Sequence, residues 1–176
     1  MTAVCRIGSP LGTILAAGEQ NALTGLWFEG QKYFAAGVSS TAQETDLPVF
    51  SQLREWLSVY FEGKQPSFTP PLTPKGSPFR QAVWKLLLSI PRGQVSTYGA
   101  LAKQLAQDTG KAVSAQAVGG AVGHNSISIL IPCHRVVGST GSLTGYAGGI
   151  EKKIALLQLE GVEVDKLWIP QKGSAL

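Results

Sequence analysis

The residues best suited to chemistry form a short run around position 133. Cys133 and His134 stand side by side, directly after Pro132. The thiolate is the reactive form of a cysteine, and a nearby histidine or cation favours it. Adjacent side chains on a strand point to opposite faces, so Cys133 and His134 can cooperate only if the chain turns at Pro132. The run predicts an activated cysteine nucleophile rather than an inert buried thiol.

Other uses of the cysteines and histidines fit the sequence less well. The chain has two cysteines, Cys5 and Cys133, and two histidines. His134 directly follows Cys133 and Cys5 lies far away, which is the wrong spacing for a zinc site, so we expect no metal. The N-terminus lacks a secretory signal, and no apolar run approaches the roughly 18 residues of a membrane helix. We therefore expect a cytoplasmic protein without a disulfide or a membrane contact.

The first part of the chain predicts a small sheet followed by one helix. Apolar stretches at 3–7 and 12–17 flank a Gly-Ser-Pro turn, and a third stretch covers 23–28. Residues 47–61 carry apolar side chains at helical spacing, and Glu62-Gly63 ends that helix. These elements predict a first domain over 1–74.

A proline-rich linker over 64–78 separates this domain from a second one, predicted over 75–170. The charge changes at the same place. Residues 1–74 have four lysines and arginines against six acidic residues, whereas 75–153 have nine against two, a net charge of +7. A basic segment of this kind is typical of a surface that meets phosphates, although a solubilising surface explains the charge equally well.

The second domain predicts short helices joined by tight turns. Ser77 caps a helix that stops at Pro91-Arg92-Gly93, and Ser96 or Thr97 caps a second one that ends in a polar loop at 108–111. Ser114 caps a third helix over 115–122, and Ser126–Ile131 is apolar and β-rich, which predicts a strand. Three such helices in a basic segment suggest a helix-turn-helix-like unit.

The third helix, over 115–122, is made almost entirely of small residues and contains Gly119 and Gly120. A glycine costs a helix about 1 kcal/mol relative to alanine, so the pair needs a reason. One interpretation is tight packing against another helix. The other is close approach of the helix to a nucleic-acid groove.

An ordered series of motifs across roughly 77–161 resembles the O6-alkylguanine-DNA alkyltransferases. The run Ile131–Val136 matches their acceptor-cysteine signature. The resemblance also covers Pro91-Arg92-Gly93, Val95–Tyr98, Ala117–Ala121, His124-Asn125, Gly145–Gly149 and Leu159-Glu160-Gly161. It implies an α+β fold, with a small N-terminal α/β ribonuclease-H-like sheet domain and a C-terminal winged-helix-like, helix-turn-helix DNA-binding domain.

The resemblance implies a catalytic role for each of five residues. Cys133 is the alkyl acceptor, and His134 takes the thiol proton through a water. Glu160, at the end of a helix over 151–160, orients the imidazole, and Asn125 braces the turn. Tyr98 donates a proton or a hydrogen bond to the departing guanine.

The resemblance also implies how the lesion is held. The carbonyls of Cys133 and Val136 read the exocyclic amine of guanine, the N–H of Ala147 reads O6, and Tyr146 belongs to the same pocket. The implied partner is double-stranded DNA carrying O6-alkylguanine, flipped out of the duplex, with O4-alkylthymine as a second allowed lesion. We expect a monomer that acts once and needs no cofactor, because the alkyl group moves directly to sulfur. The predicted DNA contacts are Ser114, Ala115, Gln116, Gly119, Gly120 and Arg135.

The chain departs from the family pattern in several places. Gln116 stands where members usually have an arginine that fills the gap left by the flipped base. The loop over 106–113 is longer than in some members, and Ser126 replaces a common proline. Cys5 is the one cysteine of the first domain, so the zinc site of some members is not expected.

Three alternatives differ in what they predict. A non-catalytic lesion-binding relative would lack the cysteine. A Cys–His hydrolase or thiol transferase would turn over and would need no DNA. A helix-turn-helix transcription factor would carry larger polar side chains on the third helix to read base edges.

Overall fold

The computed structural model describes residues 1–169, which form an α+β protein of two compact units. The first unit comprises residues 1–75 and 126–130, and the second comprises 76–125 and 131 onwards. The predicted α+β class is confirmed. The last residue of the predicted second domain, Pro170, lies outside the described residues.

The first unit is a four-stranded sheet with one helix. Strands β1, β2 and β3 are antiparallel neighbours, so the predicted small sheet is confirmed, and a short β4 pairs parallel with β1 to give the order β3-β2-β1-β4. Helix α1 packs on β2 and β3. The bounds are β1 Thr2–Ile7, β2 Ile14–Glu19, β3 Ala22–Phe28, β4 Gln43–Glu44 and α1 Pro48–Phe61.

The predicted strand at Ser126–Ile131 is wrong. The segment is a buried turn that makes a single bridge, between Ile127 and Leu26. Ile129 has a positive φ of 71°, which interrupts any extended strand. The segment has the apolar composition of a buried strand because its apolar side chains are buried here too. The backbone conformation is set instead by the turn.

The second unit contains four α-helices and a two-stranded parallel ladder in its described part. Ser77, Thr97 and Ser114 each accept a hydrogen bond from a backbone N–H in the first turn of a helix, so the predicted caps are confirmed. Within residues 1–169, no helix combines the length and the apolar character needed to cross a bilayer. The bounds are α2 Pro78–Leu88, β5 Ser96–Thr97, α3 Tyr98–Thr109, α4 Ala115–Gly123, β6 Val136–Val137 and α5 Ile150–Leu159, with one-turn 3-10 helices at Cys133–Arg135 and Val164–Lys166.

Helix α4 has one anchored face and one open face. Val118, Ala121 and Val122 are buried against the neighbouring helices α2 and α3. A side-chain carbon built at Gly119 would meet the Tyr98 ring at 3.7 Å, and one at Gly120 would meet nothing within 4 Å. Helix packing within the described residues therefore does not account for the glycine at 120.

Trp84 fixes the anchored face to α2. Its side chain is 1% exposed, and its indole N–H donates to the Ala121 carbonyl at 2.8 Å. That carbonyl lies in the last turn of α4, where helix carbonyls lack intrahelical partners. The bond therefore satisfies a buried acceptor and also sets the position of α4.

We expect Trp84→Phe to lower the free energy of unfolding by about 1–3 kcal/mol, because it leaves the Ala121 carbonyl buried without this donor. Urea unfolding would measure the loss. Trp168→Phe is the matched control, since the Trp168 indole also donates to a carbonyl, that of Thr140, but is 48% exposed. Equal losses in the two variants would show that the buried bond contributes nothing special.

Candidate active site

The chain turns sharply at Pro132, as the Cys-His pair required. Cys133 opens a one-turn 3-10 helix, closed by hydrogen bonds from the Arg135 N–H to the Pro132 carbonyl at 3.0 Å and from the Val136 N–H to the Cys133 carbonyl. We call Pro132–Val136 the cysteine turn. Cys133 is 6% exposed, so its thiol lies just beneath the surface of the second unit.

The surroundings of Cys133 pull its ionisation in two directions. Burial raises the pKa of the thiol. A hydrogen bond from Asn125, the ammonium of Lys153 and two backbone N–H groups of the cysteine turn lower it. Asn125 also donates to the Ile131 carbonyl at 2.8 Å, so it ties the end of α4 to the start of the cysteine turn. Its position fits the predicted bracing role.

His134 and Glu160 form a buried pair. The imidazole Nε2 lies 2.7 Å from the Glu160 carboxylate, and both side chains are fully buried. Burial lowers the pKa of His134, and Glu160 opposes that shift only in part, so the ring is neutral. With Nε2–H donating to the carboxylate, the lone pair is on Nδ1, which has no hydrogen-bond partner within the described residues. His134 therefore presents a basic nitrogen.

Arg135 lies differently from the predicted phosphate contact. Its guanidinium donates to both Glu160 oxygens, at 2.7 and 3.0 Å, and to the Ile90 carbonyl at 2.6 Å. The side chain is only 11% exposed. A buried carboxylate requires a charged partner, and this bidentate pair supplies one. The donors of Arg135 are thus used within the unit rather than directed to solvent.

Lys153 also lies at the site, although no sequence motif predicts it there. It is fully buried, and its ammonium donates to the Val136 carbonyl at 2.5 Å and to the Thr144 carbonyl at 2.7 Å. The Tyr98 hydroxyl donates to the same Thr144 carbonyl at 3.1 Å. The signal was a lysine on the apolar face of α5, three residues before Leu156.

The predicted guanine-binding residues lie on two segments next to this cluster. Val136 is the last residue of the cysteine turn, and the Tyr146 ring meets the His134 ring edge-on at 6.4 Å. Ala147 is half-buried on the loop before α5. The Cys133 and Val136 carbonyls each accept one hydrogen bond already, and a carbonyl oxygen has a second lone pair for a ligand.

The predicted DNA contacts of α4 lie on its outer side. Ser114, Ala115, Gln116 and Gly120 are exposed, and Gly119 faces the ring of Tyr98. Gly119 therefore lies next to Tyr98, a predicted catalytic residue, and the other predicted contacts of α4 are open to solvent. Among the described residues, no group of three or more His, Cys, Asp or Glu side chains is placed to hold a metal ion.

The neutral state of His134 predicts a pH dependence of stability. In the unfolded chain the imidazole binds a proton near pH 6.5, whereas in the folded protein burial keeps its pKa lower. The unfolded state therefore binds more protons below pH 6.5, so the free energy of unfolding falls as pH drops, by up to about 1.4 kcal/mol per pH unit. Chemical unfolding from pH 7 to pH 5 measures the slope, and His134→Asn should be less steep. Identical slopes would show that His134 does not contribute.

Comparisons with known proteins agree along most of the chain. The profile "6-O-methylguanine DNA methyltransferase, DNA binding domain" matches residues 78–162, and "6-O-methylguanine DNA methyltransferase, ribonuclease-like domain" matches 6–74. The methylated-DNA–protein-cysteine methyltransferase of Mycobacterium tuberculosis is 44% identical over 154 residues, which is 88% of this chain and 89% of that protein. Its counterpart from Haemophilus influenzae is 43% identical over 160 residues, 90% and 86% of the two chains.

Solved structures show the same similarity. The crystal structure of the Mycobacterium tuberculosis O6-methylguanine methyltransferase matches with a TM-score of 0.78 and 42% identity, over 91% of this chain and 93% of that one. The structure of Mycobacterium tuberculosis OGT in complex with DNA matches with a TM-score of 0.77 and 41% identity, over 92% of each chain. The chain belongs to the 6-O-methylguanine DNA methyltransferase family.

Proposed function

We propose that this chain repairs O6-alkylated guanine in DNA by moving the alkyl group irreversibly onto its own Cys133. The observation that carries the proposal is the cysteine turn, in which Cys133 is followed directly by a neutral, buried histidine. That histidine is hydrogen-bonded to Glu160 at 2.7 Å. Relatives at 40–44% identity that bear the name methylated-DNA–protein-cysteine methyltransferase support it.

The chemistry follows from these positions. Nδ1 of His134 takes the thiol proton through a bridging water, while Glu160 stabilises the imidazolium that forms. The sulfur of Cys133 attacks the alkyl carbon, so that a C–S bond forms as the C–O6 bond breaks. The electron pair of that bond goes to guanine, which takes a proton or hydrogen bond from Tyr98. The product is a neutral thioether.

Each molecule acts once, because a thioether has no easy route back to a thiol. The alkyl carbon passes from oxygen to sulfur in one displacement, so the step requires no cofactor. In this proposal the protein works as a cytoplasmic monomer with two domains, over 1–74 and 75–170. A non-catalytic lesion binder would not need Cys133.

The lesion must leave the duplex, since O6 of a stacked, paired guanine is out of reach of a buried sulfur. The outer side of α4 suits the minor groove because its small residues let the helix backbone come close to DNA. Gln116 would fill the gap in the stack and hydrogen-bond the orphaned cytosine. Since Arg135 is paired internally, the exposed lysines of the basic segment are the better phosphate contacts. They are Lys85, Lys103 and Lys111.

We expect one methyl group to be added to Cys133 per molecule after incubation with an O6-methylguanine oligonucleotide. Intact-mass measurement and peptide mapping would locate it. Cys133→Ser should not react, because the hydroxyl has a far higher pKa than the thiol. Cys5→Ser is the matched control and should react like the unmodified chain. Repeated turnover, or a methyl group on Cys5, would disprove the proposal.

The role of Gln116 can be separated from that of the active site. Gln116→Ala should slow repair of duplex DNA but leave the reaction with free O6-benzylguanine nearly unchanged, since the free base needs no extrusion. Gln116→Arg should tighten DNA binding by up to ~1 kcal/mol, the scale of one exposed charge contact. Rates on both substrates and a binding titration would measure these effects.

Gln158→Ala, at an exposed position of α5, is the control and should match the unmodified chain in each assay. Equal losses on both substrates in Gln116→Ala would place Gln116 in the active site. No loss on either would mean that a different residue fills the gap.

A further inference from the structure

Lys153 and Cys133 are connected through the cysteine turn. The Lys153 ammonium donates to the Val136 carbonyl at 2.5 Å, and the Val136 N–H donates to the Cys133 carbonyl. Helix α5, which carries Lys153, packs directly against this turn. These contacts hold the ammonium in a fixed position at the site. A buried charge costs stability unless a group of opposite charge compensates it.

The other charges near Cys133 are already balanced. Glu160 is paired with Arg135 through two hydrogen bonds, and His134 is neutral. Lys153 has no carboxylate partner among the described residues, and the two carbonyls that it binds carry no net charge. A thiolate at Cys133 is the remaining anion that this ammonium can compensate.

We propose that Lys153 is the counter-ion of the Cys133 thiolate and also positions the Val136 carbonyl at the guanine pocket. This inference rests on the proposed function, which makes Cys133 the alkyl acceptor. Lys153 is a positioning residue here, since it acts through Cys133 and through backbone carbonyls rather than on the alkyl group.

The titration of the group agrees with that arrangement. Burial lowers the pKa of Lys153 to about 8, and the charge of a Cys133 thiolate acts in the opposite direction. In turn the ammonium lowers the pKa of the thiol. The titratable groups around Lys153 are Cys133 and His134 from the cysteine turn and Tyr98 from α3, which shares the Thr144 carbonyl.

The charge balance changes during the reaction. Before transfer, the thiol proton moves to His134, and the sulfur carries the negative charge opposite the ammonium. When the C–S bond forms, the electron pair of the broken C–O6 bond moves to guanine, and the sulfur becomes a neutral thioether. Lys153 thus stabilises the reactive thiolate but no charge on the product sulfur.

The decisive measurement is a titration of the Cys133 thiolate by its ultraviolet absorbance, in a Cys5→Ser background so that one thiol remains. Lys153→Gln keeps a hydrogen-bond donor and removes the charge. We expect it to raise the midpoint by about one pH unit, a roughly tenfold lower thiolate fraction at neutral pH. Lys153→Arg keeps the charge and should stay closer to the unmodified chain. Lys152→Gln, one residue away on α5, is the control and should not shift it.

An unchanged midpoint in Lys153→Gln would overturn the proposal, even if repair were slower. Slower repair alone would be explained by a lysine that only positions backbone carbonyls. Should that variant not fold, the Lys153 side-chain carbon signal in NMR gives a second test. The pKa of Lys153 should be lower in Cys133→Ala than in the unmodified chain, and equal values would also overturn the proposal. Neither measurement uses DNA, so a failure here is distinguishable from a failure of alkyl transfer.

Discussion

The buried carboxylate of Glu160 is the constraint on which the rest of the site depends. Removing a carboxylate from water costs several kcal/mol, and only well-placed donors offset that cost. His134 and Arg135 provide them from the cysteine turn, at 2.7 to 3.0 Å. Three bonds from two consecutive residues of one turn to one helix end leave the turn little freedom. The bonds that neutralise Glu160 therefore also fix the position of Cys133.

This pairing gives Arg135 and His134 different roles. Burial keeps the His134 ring neutral and its Nδ1 available as a base, and Arg135 adds to this effect because it compensates the charge of Glu160. Were Arg135 absent, the carboxylate would have the imidazole as its one remaining partner in this group and would favour the protonated ring. A protonated His134 cannot accept the thiol proton. The arginine of the cysteine turn thus adds to burial in lowering the pKa of His134 and keeping the ring unprotonated, a role that its position in a basic segment did not suggest.

The sequence predicted the elements whose signals are local. Caps and helical periodicity gave α1 to α4, and the Pro-Cys-His run required the turn that the structure contains. Contacts between distant residues were harder to foresee. Arg135 was assigned to DNA because net charge does not reveal a partner 25 residues later in the chain. Residue type alone does not predict a buried lysine, yet Lys153 shares the buried face of α5 with Leu156 and Leu157. Apolar composition at Ser126–Ile131 predicted burial correctly and backbone conformation wrongly, because a positive φ at Ile129 leaves no pattern in side-chain type.

The two faces of α4 show how a helix of poor intrinsic propensity can still be rigid. Its glycines weaken it by about 1 kcal/mol each relative to alanine, so its stability must come from tertiary contacts. The buried face supplies them through Val118, Val122 and the Trp84 bond to Ala121. Because the anchoring contacts are confined to that face, the opposite face needs no large side chains to hold the helix in place. Such a helix presents bare backbone in a fixed position, which a helix stabilised by its own exposed side chains could not do.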